Sequence, residues 1–321
     1  MEKIIIYMPN WLGDAVMAIP CLRQIRKDLP NAKITVLTKE VFAGLYNNEN
    51  VDEILFLKNK IKMIKEIRKR TFDIGILFPN SFESALIFFL GNIKKRIGFA
   101  NECRSFLLTK VVKFKKTNKI SHQADSFSYL LEKGLNCVCD KKDYKLRVSG
   151  KNLEINKHKK IIGIGVGASY GLAKEWPLEK YKKLVEELIN KHNVLIVLFG
   201  TAKEKQAGHF ITKDLNKEDY INLIAKTKVS ELVLRINQCN VFIGNDSGLA
   251  HIAGALDVPD IVIFGSTSWE KSKPVGKNVR VISTNIECAP CFKRTCPKHT
   301  MQCMRDILVE DVLKSVEEYI L

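Results

Sequence analysis

The residues best placed to do chemistry form the run Asn245-Asp246-Ser247-Gly248-Leu249-Ala250-His251. It follows the apolar, β-rich residues 240–244, which read as a buried strand, and leads into residues 249–256, which read as a short helix. Asp246 and Ser247 stand where a helix cap belongs, and Gly248 leaves the first turn bare. Free N–H groups at such a helix start are a ready seat for phosphate. The competing reading is that Asp246 merely caps the helix, and spacing alone leaves the two open. His251, one turn past Ser247, is a candidate ligand contact, although a histidine on a helix face is more often packed or hydrogen-bonded.

Two further stretches carry functional groups. In Pro9-Asn10-Trp11-Leu12-Gly13-Asp14, Gly13 permits a close backbone approach at a strand-to-helix turn. Asp14 there can act as a general base if it faces a ligand, or can simply satisfy the helix dipole. In Gly167-Ala168-Ser169-Tyr170-Gly171-Leu172-Ala173-Lys174-Glu175-Trp176-Pro177, small residues, the Ser169 hydroxyl and Lys174 form a set able to cradle a diphosphate. Pro177 suits the first turn of the helix that follows. Glu204, just past Gly200 at the end of the next strand, can reach the same rim. Gly163-x-Gly165-x-x-Ala168 matches the letters of a dinucleotide fingerprint, but its glycines fall inside a strand and no helix starts before Pro177. There is no P-loop pattern. No Asp-x-Asp pair for a nucleotide-bound divalent cation occurs either, so the expected chemistry needs no metal.

The cysteines make a separate group. Cys288-Ala289-Pro290-Cys291, then Cys296-Pro297-Lys298-His299 and Cys303, approach zinc spacing, with an irregular second half. A reduced structural loop and a redox-labile disulfide are the alternatives.

These residues need a scaffold, and strand-like and helix-like segments alternate along the chain. Strands are expected at 3–8, 33–38, 53–57, 74–78 and, briefly, 96–98. Helices are expected at 12–29, 60–70, 81–90 and 118–134. After a polar, Lys-rich lapse between 141 and 160, strands resume at 161–166, 194–199, 221–223, 241–243 and 260–264. Helices lie between them at 178–191, 204–215, 229–237 and 249–256, and an amphipathic helix covers 306–321. This alternation predicts parallel sheets with crossover helices, in two α/β domains that meet near Asn156 and bind ligands at the carboxyl ends of their strands.

Composition fits that scheme. With 321 residues and 46% hydrophobic content, the chain can build two cores. Its 52 Lys and Arg against 35 Asp and Glu give a formal charge of +17, suited to nucleic acid, an anionic membrane face or a phosphorylated substrate. Basic clusters at Lys94, Lys95, Arg96 and 110–116 place part of that excess in the first half. The start of the chain shows no signal peptide and no run reaches membrane-spanning length, so a cytoplasmic protein with nine reduced cysteines is expected.

Together, the motifs resemble glycosyltransferase family 9, the ADP-heptose:lipopolysaccharide heptosyltransferases, along the whole chain. Asn245 to His251 followed by Phe264-Gly265-Ser266-Thr267 looks like the family's sugar-nucleotide loop. Pro9 to Asp14 resembles its acceptor-side loop, with Asn10, Trp11 and Gly13 as acceptor-side residues. Ala173-Lys174-Glu175-Trp176-Pro177 resembles its Lys-x-Trp-Pro element. The tail from Cys288 to Met304 is similar to that of the heptosyltransferase II branch.

The resemblance implies a GT-B fold of two Rossmann-like domains facing a cleft: 1–155 for the acceptor and 156–321 for the donor, with a C-terminal helix crossing back. It implies inverting transfer of heptose from ADP-L-glycero-D-manno-heptose to an inner-core heptose, with no cofactor. Asp14 would be the base, Ser169 and Lys174 would hold the diphosphate, and Glu204 would contact the nucleotide. Asp246 would meet the heptose or the diphosphate, and the amides of Ser247, Gly248 and Leu249 would bind phosphate. The implied partner is the lipid A–core acceptor, met by a monomer at the inner leaflet of the inner membrane. Two other classes are disfavoured. A nicotinamide-dependent oxidoreductase would want a glycine fingerprint after the first strand. A nucleic-acid-binding protein would want aromatic residues interleaved with the basic ones, and only 8% of residues are aromatic.

Overall fold

The structure is a computed structural model and describes residues 1–114, 122–140, 142–150 and 159–321. Those residues divide into two compact units, Met1–Tyr144 and Lys145–Leu321. The expected boundary near Asn156 falls within 151–158, outside the described residues.

In the first unit the order is β1 (Lys3–Tyr7), α1 (Leu12–Met17), α2 (Ile19–Asp28), β2 (Lys33–Thr38), β3 (Glu53–Phe56), α3 (Lys60–Arg70), β4 (Ile74–Leu77), α4 (Phe82–Leu90), β5 (Lys95–Phe99), β6 (Lys110–Val112) and α5 (Gln123–Leu135). The strands form one parallel sheet in the order β3-β2-β1-β4-β5-β6. Ile4, Ile5 and Ile6 are fully buried in the central strand β1, as an unbroken apolar run must be when helices cover both faces of a sheet.

The single helix expected over 12–29 is instead two, separated at Ala18. Pro20 has no N–H to donate to a carbonyl one turn back, so it can occupy only the opening turn of a new helix, which is where it sits in α2. The helix expected from 118 is described from Gln123 onward, since 115–121 lie outside the described residues.

The second unit runs β7 (Lys160–Gly165), α6 (Leu178–Lys191), β8 (Val194–Phe199), α7 (Lys205–Thr212), β9 (Tyr220–Asn222), α8 (Val229–Ile236), β10 (Val241–Asn245), α9 (Gly248–Ala255), β11 (Asp260–Phe264), α10 (Trp269–Ser272), β12 (Val279–Ser283), α11 (Gln302–Arg305) and α12 (Val309–Ile320). Its parallel sheet has the order β12-β11-β10-β7-β8-β9. Both sheets therefore reverse their winding next to their first strand, β1 against β4 and β7 against β10. Ligand sites form at the carboxyl ends of the strands flanking such a reversal.

The helix expected to cross back is α12. Its apolar residues Val309, Val312, Leu313 and Val316 are seated in the second unit's own core, and the helix lies against α6, β10 and β11. Gly163 in β7 serves packing, because a Cβ there would stand 2.8 Å from both Cys239 and the Phe242 ring. No helix among the described residues is long and apolar enough to cross a membrane.

Candidate active site

Neighbouring strands β7 and β10 end side by side, with Gly165 in register with Gly244. Asn245, the last residue of β10, is fully buried and ties the two ends together. Its Oδ1 accepts from the Trp176 amide at 3.0 Å and the Tyr181 hydroxyl at 3.1 Å, while Nδ2 donates to the Val166 carbonyl at 3.0 Å. The loop after β7 is thereby folded against the end of β10. That brings the Lys174 ammonium onto Asp246 Oδ2, which also accepts from the Thr267 hydroxyl at 2.7 Å. The side chains of Lys174 and Asp246 are only 11% and 5% exposed.

The capping reading of Asp246 is thus set aside. The N-cap of α9 is Ser247, and no side chain caps it. The Ser247 hydroxyl is buried without a hydrogen-bond partner among the described residues. The first-turn N–H groups at Gly248 and Leu249 have no side-chain cap, and such a helix start can seat an anion. His251 is buried on the same helix, and its amide donates to the Ser247 carbonyl at 3.3 Å.

Two carboxylates stand at the rim. Glu204 accepts from the Thr201 amide at 2.6 Å and the Thr201 hydroxyl at 2.7 Å, closing a capping box on the turn that opens α7. It presses on Gly167, where a Cβ would lie 2.6 Å from the Glu204 carboxyl carbon. Glu175 was not anticipated as a site residue. Burial raises its carboxyl pKa, the Ala168 amide opposes the shift, and the Glu204 charge adds to it. Ser169 lies exposed in the turn that follows β7.

In the first unit, Asn10, Trp11, Gly13 and Asp14 gather at the carboxyl end of β1. The Asn10 carbonyl accepts from Lys39 Nζ at 2.8 Å, which pins the loop to the end of β2. Trp11 is the N-cap of α1 and 45% exposed, Gly13 is buried, and Asp14 is half-exposed in the first turn. The basic clusters are less free than their charges suggested. Lys94 pairs with Asp73 at 2.8 Å. Arg96 donates to the carbonyls of Ile93 and Leu107 and lies over the Phe89 ring, and burial lowers its pKa. Lys95, Lys110 and Lys113 stay exposed, while Lys115 and Lys116 lie outside the described residues.

The cysteine loop is docked on the loop after β7. The Tyr170 hydroxyl donates to the Phe292 carbonyl at 2.7 Å, the Phe292 amide to the Ser266 carbonyl at 2.7 Å, and the Ala173 amide to the Arg294 carbonyl at 3.1 Å. All nine cysteines are free thiols. Among the described residues no three His, Cys, Asp or Glu side chains are placed to hold a metal ion, so Cys288, Cys291, Cys296 and Cys303 form no zinc cage in this arrangement. Burial and the nearby Cys291, Cys288 and Cys296 raise the Cys303 thiol pKa.

The sequence model of glycosyltransferase family 9 (heptosyltransferase) matches residues 60–302. Lipooligosaccharide heptosyltransferase 2 of Campylobacter jejuni is 30% identical over 329 residues, covering 98% of each chain. Lipopolysaccharide heptosyltransferase 2 of Escherichia coli K12 is 27% identical, covering 99% of each. Among solved structures, E. coli ADP-heptose lps heptosyltransferase II superposes with a TM-score of 0.84 at 27% identity, covering 99% of this chain and 98% of that one. A family 9 glycosyl transferase from Veillonella parvula gives a TM-score of 0.82 at 20% identity, covering 99% and 97%, a likeness of fold.

Proposed function

The chain belongs to glycosyltransferase family 9, and from that premise we propose that it transfers heptose from ADP-L-glycero-D-manno-heptose onto an inner-core heptose of lipopolysaccharide, the heptosyltransferase II reaction. The observation that carries this reading is the Lys174–Asp246–Thr267 group set immediately before the uncapped start of α9. A sugar nucleotide needs this combination: N–H groups and a cation for the diphosphate, and a fixed carboxylate for the sugar hydroxyls.

In this reading the amides of Ser247, Gly248 and Leu249 take a phosphate, assisted by Lys174 and Ser169. Glu204 and His251 line the nucleotide side. Asp246 is poorly suited to meet the phosphates because it is itself an anion. Its Oδ2 is occupied by Lys174 and Thr267, so Oδ1 is the atom to receive a heptose hydroxyl.

Asp14 removes the proton from the acceptor hydroxyl as that oxygen attacks the anomeric carbon. The C–O bond to ADP breaks in the same displacement, which inverts the centre, and the diphosphate leaves with the bonding electrons. Asn10, Trp11 and Gly13 shape the acceptor side. The enzyme works as a monomer on the cytoplasmic face of the inner membrane, where exposed Lys95, Lys110 and Lys113 meet the phosphorylated lipid A–core. The acceptor-binding and donor-binding domains of this reading, expected as 1–155 and 156–321, correspond to the units Met1–Tyr144 and Lys145–Leu321.

The test is mass spectrometry of the product formed from ADP-heptose and a truncated lipopolysaccharide ending at the first inner-core heptose. Addition of a single heptose is expected, and no mass change would reject the reading. Transfer is expected to persist in EDTA, since Lys174 and the α9 amides take the part of a divalent cation. Loss in EDTA with recovery in Mg²⁺ would show otherwise.

A further inference from the structure

The docked cysteine loop carries Arg294 to the donor site. The Arg294 guanidinium carbon lies 5.4 Å from the centre of the Tyr170 ring, and Lys174 Nζ lies 4.7 Å from the same centre. Lys174 is compensated by Asp246, whereas Arg294 has no ion-pair partner among the described residues. Two cations rest on one phenol ring and only Lys174 has a carboxylate on it, so an anion bound beside the ring would be favoured by both.

The loop's placement does not depend on the Arg294 side chain. It is fixed by main-chain bonds from Ala173 and Phe292 and by the Tyr170 hydroxyl. Gly171 is part of the same fit: with φ at +152°, it meets the Arg294 carbonyl so closely that a Cβ would stand 2.4 Å from that oxygen.

We propose that Arg294 is a donor-binding residue that pairs with the diphosphate of the sugar nucleotide. The cysteine-bearing segment is then a working wall of the donor site. This rests on the donor reading above and adds to it. Charge makes the case. Glu204, Glu175 and Asp246 bring three carboxyl groups to this rim, and Lys174 shares its charge with Asp246. The α9 start and that shared ammonium would otherwise face the two negative phosphates without a second cation. A guanidinium adds a planar fork matched to phosphate oxygens, with no cost of burial before the ligand arrives. Its seat against Tyr170 limits the rotamers it must give up on binding.

The experiment is calorimetry of ADP and adenosine binding to the full-length wild type, Arg294→Ala and Arg294→Lys. Losing charge-assisted contacts to a diphosphate is expected to weaken ADP in Arg294→Ala by about 10–100-fold. Adenosine affinity and the thermal midpoint should not move, and Arg294→Lys should recover part of the loss. ADP affinity unchanged in Arg294→Ala, or ADP and adenosine weakened equally, would overturn the assignment. A wild type that binds neither compound would overturn the donor reading itself, and Arg294 with it.

Discussion

Asp260 opens β11 fully buried, with neither carboxyl oxygen hydrogen-bonded among the described residues. Burial alone raises its pKa well above that of a free carboxyl group, so the folded protein holds a proton that the unfolded chain releases near pH 4. The sign follows directly. This group favours folding most below that pH, and stability declines as pH rises, by at most about 1.4 kcal/mol per unit, until the raised pKa is passed. Asp260→Asn does not titrate, so its stability relative to wild type should grow between pH 4.5 and 7.5 in urea unfolding. Parallel pH profiles would contradict a buried neutral carboxyl.

Asp14 is half-exposed in the first turn of α1. Asp14→Asn keeps nearly the same shape and removes the proposed base. Turnover should fall about 10²–10⁴-fold in steady-state kinetics, with ADP affinity unchanged. Near-normal turnover would take Asp14 out of the mechanism.

At the scale of elements, α3 and β2 occupy the residues their patterns predict, because amphipathic spacing and a β-branched run are local signals. The failures were also physical. The α1–α2 break depends on one proline inside an otherwise continuous apolar pattern. Lys110–Val112 and Val279–Ser283 are strands at the edges of their sheets, short or only half-buried, and neither shows a buried period. The site residues that sequence named are those on glycine-marked turns. It missed Asn245 as a hub and Arg294 as a partner of Tyr170, since both roles arise from contacts across long stretches of chain. Replacing Asn245 with leucine should leave the Trp176 amide and the Val166 carbonyl unpaired in the interior. A cost of about 2–4 kcal/mol is expected, read as a lowered midpoint of denaturation. A change below about 1 kcal/mol would mean that the β7–β10 junction holds without it.

At the scale of the molecule, two α/β halves with parallel sheets were legible from alternation, because crossover connections force parallel strands, whereas the strand order the two sheets share was not. The distribution of charge was less so, since partners such as Asp73 for Lys94 are remote in sequence. The first unit also exposes Phe82, Phe89, Leu90 and Phe106, the last 72% exposed, and Phe82 and Phe106 pair with ring centres 6.1 Å apart. Aromatic residues with lysines suit a lipid interface. Reversing charge at Lys95, Lys110 and Lys113 together should raise KM for the lipid-borne acceptor several-fold and leave KM for ADP-heptose as it was. Equal effects on both would remove the membrane from the explanation.

The seating of α12 in the core of the second unit bears on the order in which the protein comes into being. The first unit is complete once residue 144 has been made, whereas the second lacks part of its interior until Ile320 is reached. At about 5–20 residues per second, translation leaves roughly three to eleven seconds between the end of β11 and the end of α12, in which β7 to β11 exist without the helix that covers them. During that interval the nascent donor half shows apolar surface to chaperones and to neighbouring ribosomes. A frameshift after residue 308 would make that brief state permanent, and the cell would meet it as a folding defect before it met it as a missing activity.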